Sequence, residues 1–159
     1  MKSMSYEIPA KDLGYLAGLI DGEGWIGIHR RKRSWKRDPS RTHYLRPCIV
    51  IGMAKRECVD HVANMLRINA FNVTIVFEGD TFRVRMYPSL LRWLLPQLLP
   101  HLILKRRQAE ILLEFISTPP WNGRELTTEE MLRRTLLHEE IVRLNERPAQ
   151  TRRRLLEVQ

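Results

Sequence analysis

Two carboxylates, Asp21 and Glu23, stand at the end of a run that reads as a short helix, from Asp12 to about Asp21, with Gly22 and Gly24 beside them. A helix C-terminus carries partial negative charge and disfavours each nearby anion by roughly 0.3–1 kcal/mol, so acids placed there call for compensation. A bound cation would supply it. On the wheel of this helix Leu13, Leu16 and Ile20 line one stripe, and Gly14, Ala17, Gly18 and Asp21 line the next. Small residues allow two helix backbones to approach closely. Alone, that stripe would read as a helix pressed against its own domain; the acidic ending tilts the reading toward contact with a second helix.

The other concentration of chemistry is basic. Between Arg30 and Arg46 lie eight lysines and arginines against one acid, Asp38. Lys105-Arg106-Arg107 is a further charge run at a helix start, a pattern that is usually solvated or touches phosphate. The formal net charge of +9 points to a polyanionic partner, since basic surfaces draw phosphates and release their counterions. Nucleic acid leads and an anionic membrane comes second. The arginines alternate along strands rather than along an amphipathic helix, which weighs against the membrane.

These groups need elements to hold them. Gly22 and Gly24 suit a helix C-terminus, so a strand should follow at once. Residues 25 to 33 alternate, with Ile26 and Ile28 toward a core and Gly27, His29, Arg31 and Arg33 on the other face. After a loop at Asp38-Pro39-Ser40, a second strand runs from about Tyr44 to Met53, with Ile49 and Ile51 inward and Arg46, Cys48 and Val50 outward. Val59, Val62, Ala63 and Leu66 fall at helical spacing over about Lys55 to Arg67. A hairpin follows, about Phe71 to Phe77 and Thr81 to Tyr87, turning at Glu78-Gly79-Asp80, with Arg83 and Arg85 opposite Val84 and Met86.

Leu90, Leu91, Leu94 and Leu95 mark a short helix broken by Pro96 and Pro100. Ala109, Leu112, Leu113 and Ile116 mark another, ended by Thr118-Pro119-Pro120. Thr127 with Glu130 reads as a capping box opening a last helix, with Met131, Leu132, Leu136, Ile141 and Leu144 among its apolar positions. The order is helix, two strands, helix, two strands, then helices: an α+β domain with one antiparallel sheet and helices on its covered face.

A chain of 159 residues with 43% hydrophobic residues suits one domain with an ordinary core. It holds no apolar run of bilayer length, and the start MKSMSYEIPAKD lacks the hydrophobic region of a signal peptide. The expectation is a soluble, intracellular protein, cytoplasmic or at the nucleoid, or organellar in a eukaryote. Cys48 and Cys58 make neither a disulfide framework nor a zinc site.

Leu16-Ala17-Gly18-Leu19-Ile20-Asp21-Gly22-Glu23-Gly24 resembles the signature of the LAGLIDADG homing endonucleases, with Gly22 and Glu23 as common variants at their positions. One copy of the motif is similar to the single-motif, homodimeric type. The resemblance implies an αββαββα core over residues 1–117, with a four-stranded antiparallel sheet forming a DNA-binding saddle, and a C-terminal helical extension over 118–159. It implies that the motif helix packs on its twin through Gly14, Ala17, Gly18 and Asp21, bringing Glu23 and its copy together beside DNA. Two carboxylates with water and phosphate oxygens suit Mg²⁺, with the Gly22 carbonyl contributing and Mn²⁺ or Ca²⁺ substituting in binding.

Ions held so can activate water for in-line attack on phosphorus and stabilise the departing 3′ oxygen, which would leave 5′ phosphates, and the resemblance implies short 3′ overhangs. The stretch from Pro100 to Ala109 resembles the family segment that ends in a catalytic lysine, which maps onto Lys105. Where many members carry a glutamine or another polar residue near the end of the second strand, this sequence has Gly52 or Met53. The open face would lie in the major groove, with His29, Arg31, Arg33, Arg46, Arg83 and Arg85 reading bases. Lys32, Lys36, Arg37 and Arg41 would touch phosphate, Trp35 would pack on sugar or anchor the loop, and Arg106 and Arg107 are further basic candidates.

The expected partners are therefore double-stranded DNA, through a palindromic or nearly palindromic site, and a second copy of the chain, with no membrane and no small-molecule substrate. Enzymes of this kind cut the allele that lacks their own intron or intein insertion. Two rivals share the scaffold: a maturase that assists RNA splicing, and a DNA-binding regulator that has lost the chemistry. The presence of both Glu23 and Lys105 favours the nuclease.

Overall fold

The computed structural model describes residues 7–32, 43–67, 73–117 and 126–146. Helix α1 (Ala10–Glu23) passes directly into β1 (Gly24–Lys32), which pairs with β2 (His43–Met53). Helix α2 (Arg56–Arg67) leads to β3 (Thr74–Glu78) and β4 (Thr81–Met86), and the remaining helices are α3 (Pro88–Leu98), α4 (Arg106–Ser117) and α5 (Thr128–Asn145). The four strands form one antiparallel sheet in the order β1-β2-β4-β3, with the helices against one face. This is the expected α+β architecture.

The alternation in the strands determines which face is covered. Ile26 and Ile28 of β1, Ile49 and Ile51 of β2, and Val84 and Met86 of β4 are all buried. Helices supply the other half of that core: Leu13, Leu16 and Ile20 from α1, Val59, Val62, Ala63 and Leu66 from α2, and Leu112 and Phe115 from α4. Each of these side chains larger than alanine contributes roughly 1.5–3 kcal/mol when taken out of water, before the entropy of ordering it is subtracted.

The junction of α1 with β1 departs from expectation in two respects. The helix runs through Glu23 rather than stopping near Asp21, and Gly24 sits at φ −80°, which any residue adopts. The glycine is needed for close approach, since a Cβ there would lie 2.7 Å from the Ile20 Cα and carbonyl oxygen. By contrast Gly79, in the β3–β4 turn, has φ +67° and is required by its backbone conformation.

Pro96 does not break α3; it lies inside the helix. A mid-helix proline costs about 3 kcal/mol. Burial of Leu90, Leu91, Leu94, Leu95 and Leu98 along the same helix outweighs it. Pro100 falls in the 3₁₀ turn Leu99–His101.

Helix α5 opens on the expected capping box, with the Glu130 N–H donating to Thr127 Oγ1 and the Thr127 N–H to Glu130 Oε2. Its buried face, however, is Arg134, Leu137 and Ile141. Of the apolar positions expected to pack, Met131, Leu132, Leu136 and Leu144 are exposed. The Arg134 guanidinium stacks over the Phe115 ring at 4.0 Å, so a charged residue occupies the packed side. Helix α5 also protects the free edge of β1: Asn145 Nδ2 donates to the Ile26 carbonyl at 2.8 Å, and His138 meets the Ile28 backbone. No helix among the described residues is long and apolar enough to cross a membrane.

Candidate functional site

The end of α1 is held by residues from the segment before α4, more than eighty positions away. The Asp21 carboxylate accepts the backbone N–H of Ile103 at 2.8 Å and that of Lys105 at 2.9 Å. In return, Lys105 Nζ donates to the carbonyls of Ile20 (2.8 Å), Asp21 (3.0 Å) and Gly24 (2.6 Å). All three ammonium protons are thereby used. The helix end that seemed to require a bound cation has one from its own chain. Burial lowers the Lys105 pKa, while Asp21 and Glu23 work in the opposite direction.

Both oxygens of the Asp21 carboxylate are thus engaged by backbone N–H groups of its own chain. Glu23 is different: it is exposed, and its charge is close enough to act on Lys105. Replacing Lys105 by methionine removes the helix-end bonds, each to a charged donor, and should cost on the order of 2 kcal/mol. Thermal denaturation without metal or DNA should show a melting point lower by roughly 5 °C. An unchanged melting point would show that the cap contributes nothing.

The small-residue stripe also needs one correction. Ala17 is fully buried within the chain, so it has no surface to offer a partner. Gly14, Gly18 and Gly22 instead form an exposed row at helical spacing, and a Cβ added at any of them would meet nothing within 4 Å. Glycine within a helix costs about 0.8–1.0 kcal/mol relative to alanine. Nothing in the packing of the described residues repays that cost. Beside the row, the exposed Tyr15 hydroxyl lies 3.4 Å from Cys58 Sγ, and its ring meets His61 edge-on.

The open face of the sheet is strongly basic. Cross-strand register places His29 beside Arg46, Arg31 beside Tyr44, Arg83 beside Gly52, and Arg85 between Val50 and Thr74. The Arg46 guanidinium lies 4.0 Å over the Tyr87 ring, and Arg83 and Arg85 both donate to Glu78 Oε2, at 2.9 and 2.6 Å. His29 is held below its ordinary pKa by burial and by Arg31, Arg85 and Arg46, so it is neutral near pH 7. Glu78 and Tyr87 were not singled out from sequence, although their places beside Arg83 and Arg85 in the hairpin could have suggested them.

Trp25 was also missed, although a period of two puts it on the same face as Gly27 and His29. Its ring lies over Gly27, where an added Cβ would come within 2.3 Å of a ring carbon, and it stacks on His29 with centroids 4.4 Å apart. Gly27 and its cross-strand neighbour Cys48 are both buried, although Cys48 lies on the open face as expected. Burial pushes the Cys48 thiol up to about 11, so it is inert at neutral pH.

Arg106 and Arg107 stand on α4, where Arg106 pairs with Glu110 and Arg107 with Glu140 of α5. Lys32 ends β1 opposite His43. Arg33, Trp35, Lys36, Arg37 and Arg41 lie outside the described residues.

Sequence comparison finds no matching family model and no matching curated protein. Comparison of structures does find relatives. The homing endonuclease I-CvuI, solved in complex with DNA, superposes with a TM-score of 0.71 at 20% identity, over 87% of this chain and 85% of that one. The archaeal intron-encoded homing endonuclease I-Vdi141I, complexed with DNA, gives 0.70 at 22% identity, over 86% of each chain. The LAGLIDADG meganuclease I-AabMI gives 0.60 at 20% identity, over 79% of this chain and 43% of its own. The chain has the fold of the LAGLIDADG homing endonucleases. Within that LAGLIDADG fold, the motif residues form the second half of α1 and its junction with β1, and Arg31, Arg46, Arg83 and Arg85 stand on the uncovered face of the sheet.

Proposed function

We propose that the chain is a site-specific endonuclease that cuts double-stranded DNA as a homodimer, with a divalent metal held at Glu23. The observation that carries this reading is an exposed Glu23 at the end of an exposed glycine row, beside Lys105 and next to a basic open sheet face. Two copies packed along Gly14, Gly18 and Gly22 would bring two Glu23 carboxylates together at the symmetry axis. Each subunit would then read one half of a palindromic or nearly palindromic site.

The donor set fits a hard cation completed from outside the chain. Among the described residues no three His, Cys, Asp or Glu gather into a ligand group, and Asp21 is occupied by backbone N–H groups. Mg²⁺ needs only one or two carboxylates, since waters and phosphate oxygens complete its octahedron. Glu23, its copy and the Gly22 carbonyl would hold it, with Mn²⁺ or Ca²⁺ substituting in binding. Such an ion supplies Lewis acidity and neutralises charge at the phosphate.

The chain's own residues orient the substrate. Arg31, Arg46, Arg83 and Arg85 offer donors to base edges and phosphates, and exchanging exposed ion pairs such as those to Glu78 for DNA contacts costs little. Lys32, Arg106, Arg107 and the basic residues between β1 and β2 add phosphate contacts that set register. Lys105 keeps the Glu23 backbone in place and adds positive charge near the reacting phosphate. In the reaction a water oxygen bonds to phosphorus as the P–O3′ bond breaks, giving a 3′-hydroxyl and a 5′-phosphate. Paired sites acting across the minor groove leave short 3′ overhangs.

The direct test selects duplexes from a randomised palindromic library in Ca²⁺ and then supplies Mg²⁺. Cleavage of both strands with those end groups is expected. Tight, sequence-selective binding with no cleavage in Mg²⁺ or Mn²⁺ would replace the nuclease by a DNA-binding regulator. Preference for structured RNA over every duplex would point to a splicing helper.

A further inference from the structure

We propose that Trp25 is a specificity-determining residue: its indole, set on Gly27 and stacked on His29, gives the DNA-reading face an apolar window that selects thymine through its 5-methyl group. The inference rests on the DNA-reading role given above to the open face.

Three features of the structure converge on it. The first is position. Trp25 comes two residues after Glu23 on the open face, with Val50 as its partner on β2 and Arg85 beyond on β4, so it lies toward the cleavage centre of each half-site. The second is the local chemistry of the face. Trp25, Gly27, Cys48 and Val50 are cross-strand neighbours and carry no charge, while His29, Arg31, Arg46, Arg83 and Arg85 surround them. Arginine and histidine find acceptors on guanine, whereas the one apolar feature that a base pair offers in the major groove is the thymine methyl.

The third is that the ring is fixed in place. A Cβ at residue 27 would fall within 2.3 to 2.9 Å of three ring carbons, so only glycine lets the indole lie there. The His29 ring holds its other contact, at an interplanar angle of 23°. A half-buried ring pinned this way meets DNA without a further loss of side-chain freedom, which favours selectivity over mere adhesion. A purely structural tryptophan filling the open face is the competing reading, and it makes no demand on the methyl group.

The experiment removes that group alone. In the duplex selected by the wild-type dimer, each thymine pair related by the two-fold axis is replaced in turn by deoxyuridine, and affinity is measured in Ca²⁺. Wild type should lose roughly fourfold per half-site at one symmetric pair near the centre, the worth of one buried methyl, and little elsewhere. Trp25→Ala should bind the thymine and deoxyuridine duplexes equally while still preferring the selected sequence at the remaining positions. A wild type indifferent to every methyl overturns the inference without needing the variant to fold. Retention of the full methyl penalty by Trp25→Ala overturns it as well. If the wild type selects no duplex at all, the DNA reading itself fails and the inference with it; loss confined to the methyl test defeats the inference alone.

Discussion

Glu23→Gln is expected to abolish strand cleavage, by a factor of at least about 1,000, while specific DNA binding stays within a few-fold of wild type. A thousandfold loss corresponds to roughly 4 kcal/mol of transition-state stabilisation. Losing a carboxylate ligand of a hard cation can account for a loss of that size, because a neutral amide oxygen neither balances the ion's charge nor holds it as tightly. The fold should tolerate the change: Glu23 is exposed, and removing an anion from the end of α1 relieves an unfavourable dipole interaction. Cleavage in Mg²⁺ and binding in Ca²⁺, measured on one selected duplex, separate the two effects. Undiminished cleavage would remove Glu23 from the chemistry.

Gly18→Phe should give a folded monomer that does not cut. In the single chain a Cβ added at position 18 meets no described atom within 4 Å, and replacing a helical glycine by phenylalanine raises helix propensity by roughly 0.3–0.5 kcal/mol. The monomer's melting point should therefore be unchanged or higher. Between two copies of α1 the same side chain would stand where the backbones must approach, and ordinary helix pairs already sit about 8–10 Å apart. Sedimentation is expected to show wild type as a dimer and the variant as a monomer at the same concentration, with cleavage by the variant falling to background. A variant that stays dimeric and active would place the subunit contact elsewhere on the molecule.

Periodicity and local signals made much of the scaffold legible from sequence. Val59, Val62, Ala63 and Leu66 gave the inner face of α2, Thr127 with Glu130 gave the start of α5, and alternation gave the buried faces of β1 and β4. What escaped notice depended on tertiary neighbours. The proline rule failed at Pro96 because five leucines of the same helix are buried at once. The inner face of α5 was misread because it packs an arginine on an aromatic ring, so hydrophobicity did not mark the packed side.

The site shows the same division. The motif singled out Glu23 as a candidate, and the helix wheel put Gly14 and Gly18 on one stripe. Neither could reveal that Asp21 is bound to the backbone of residues 103 and 105, or that Lys105 closes the helix end, because those partners meet only through the fold. Alternation was enough to put Trp25 on the open face, but not to show its ring lying on a glycine two residues away. Ala17, small and next to Gly18, looked equivalent to the glycines until its burial separated them.

The most direct measurement is the number of chains on one DNA molecule. Native mass spectrometry of the wild-type protein with its selected duplex in Ca²⁺ should give two polypeptides per duplex, each contributing a Glu23 at the axis. A stable, sequence-specific complex holding a single polypeptide, and competent to cut both strands once Mg²⁺ is added, would contradict a shared active site.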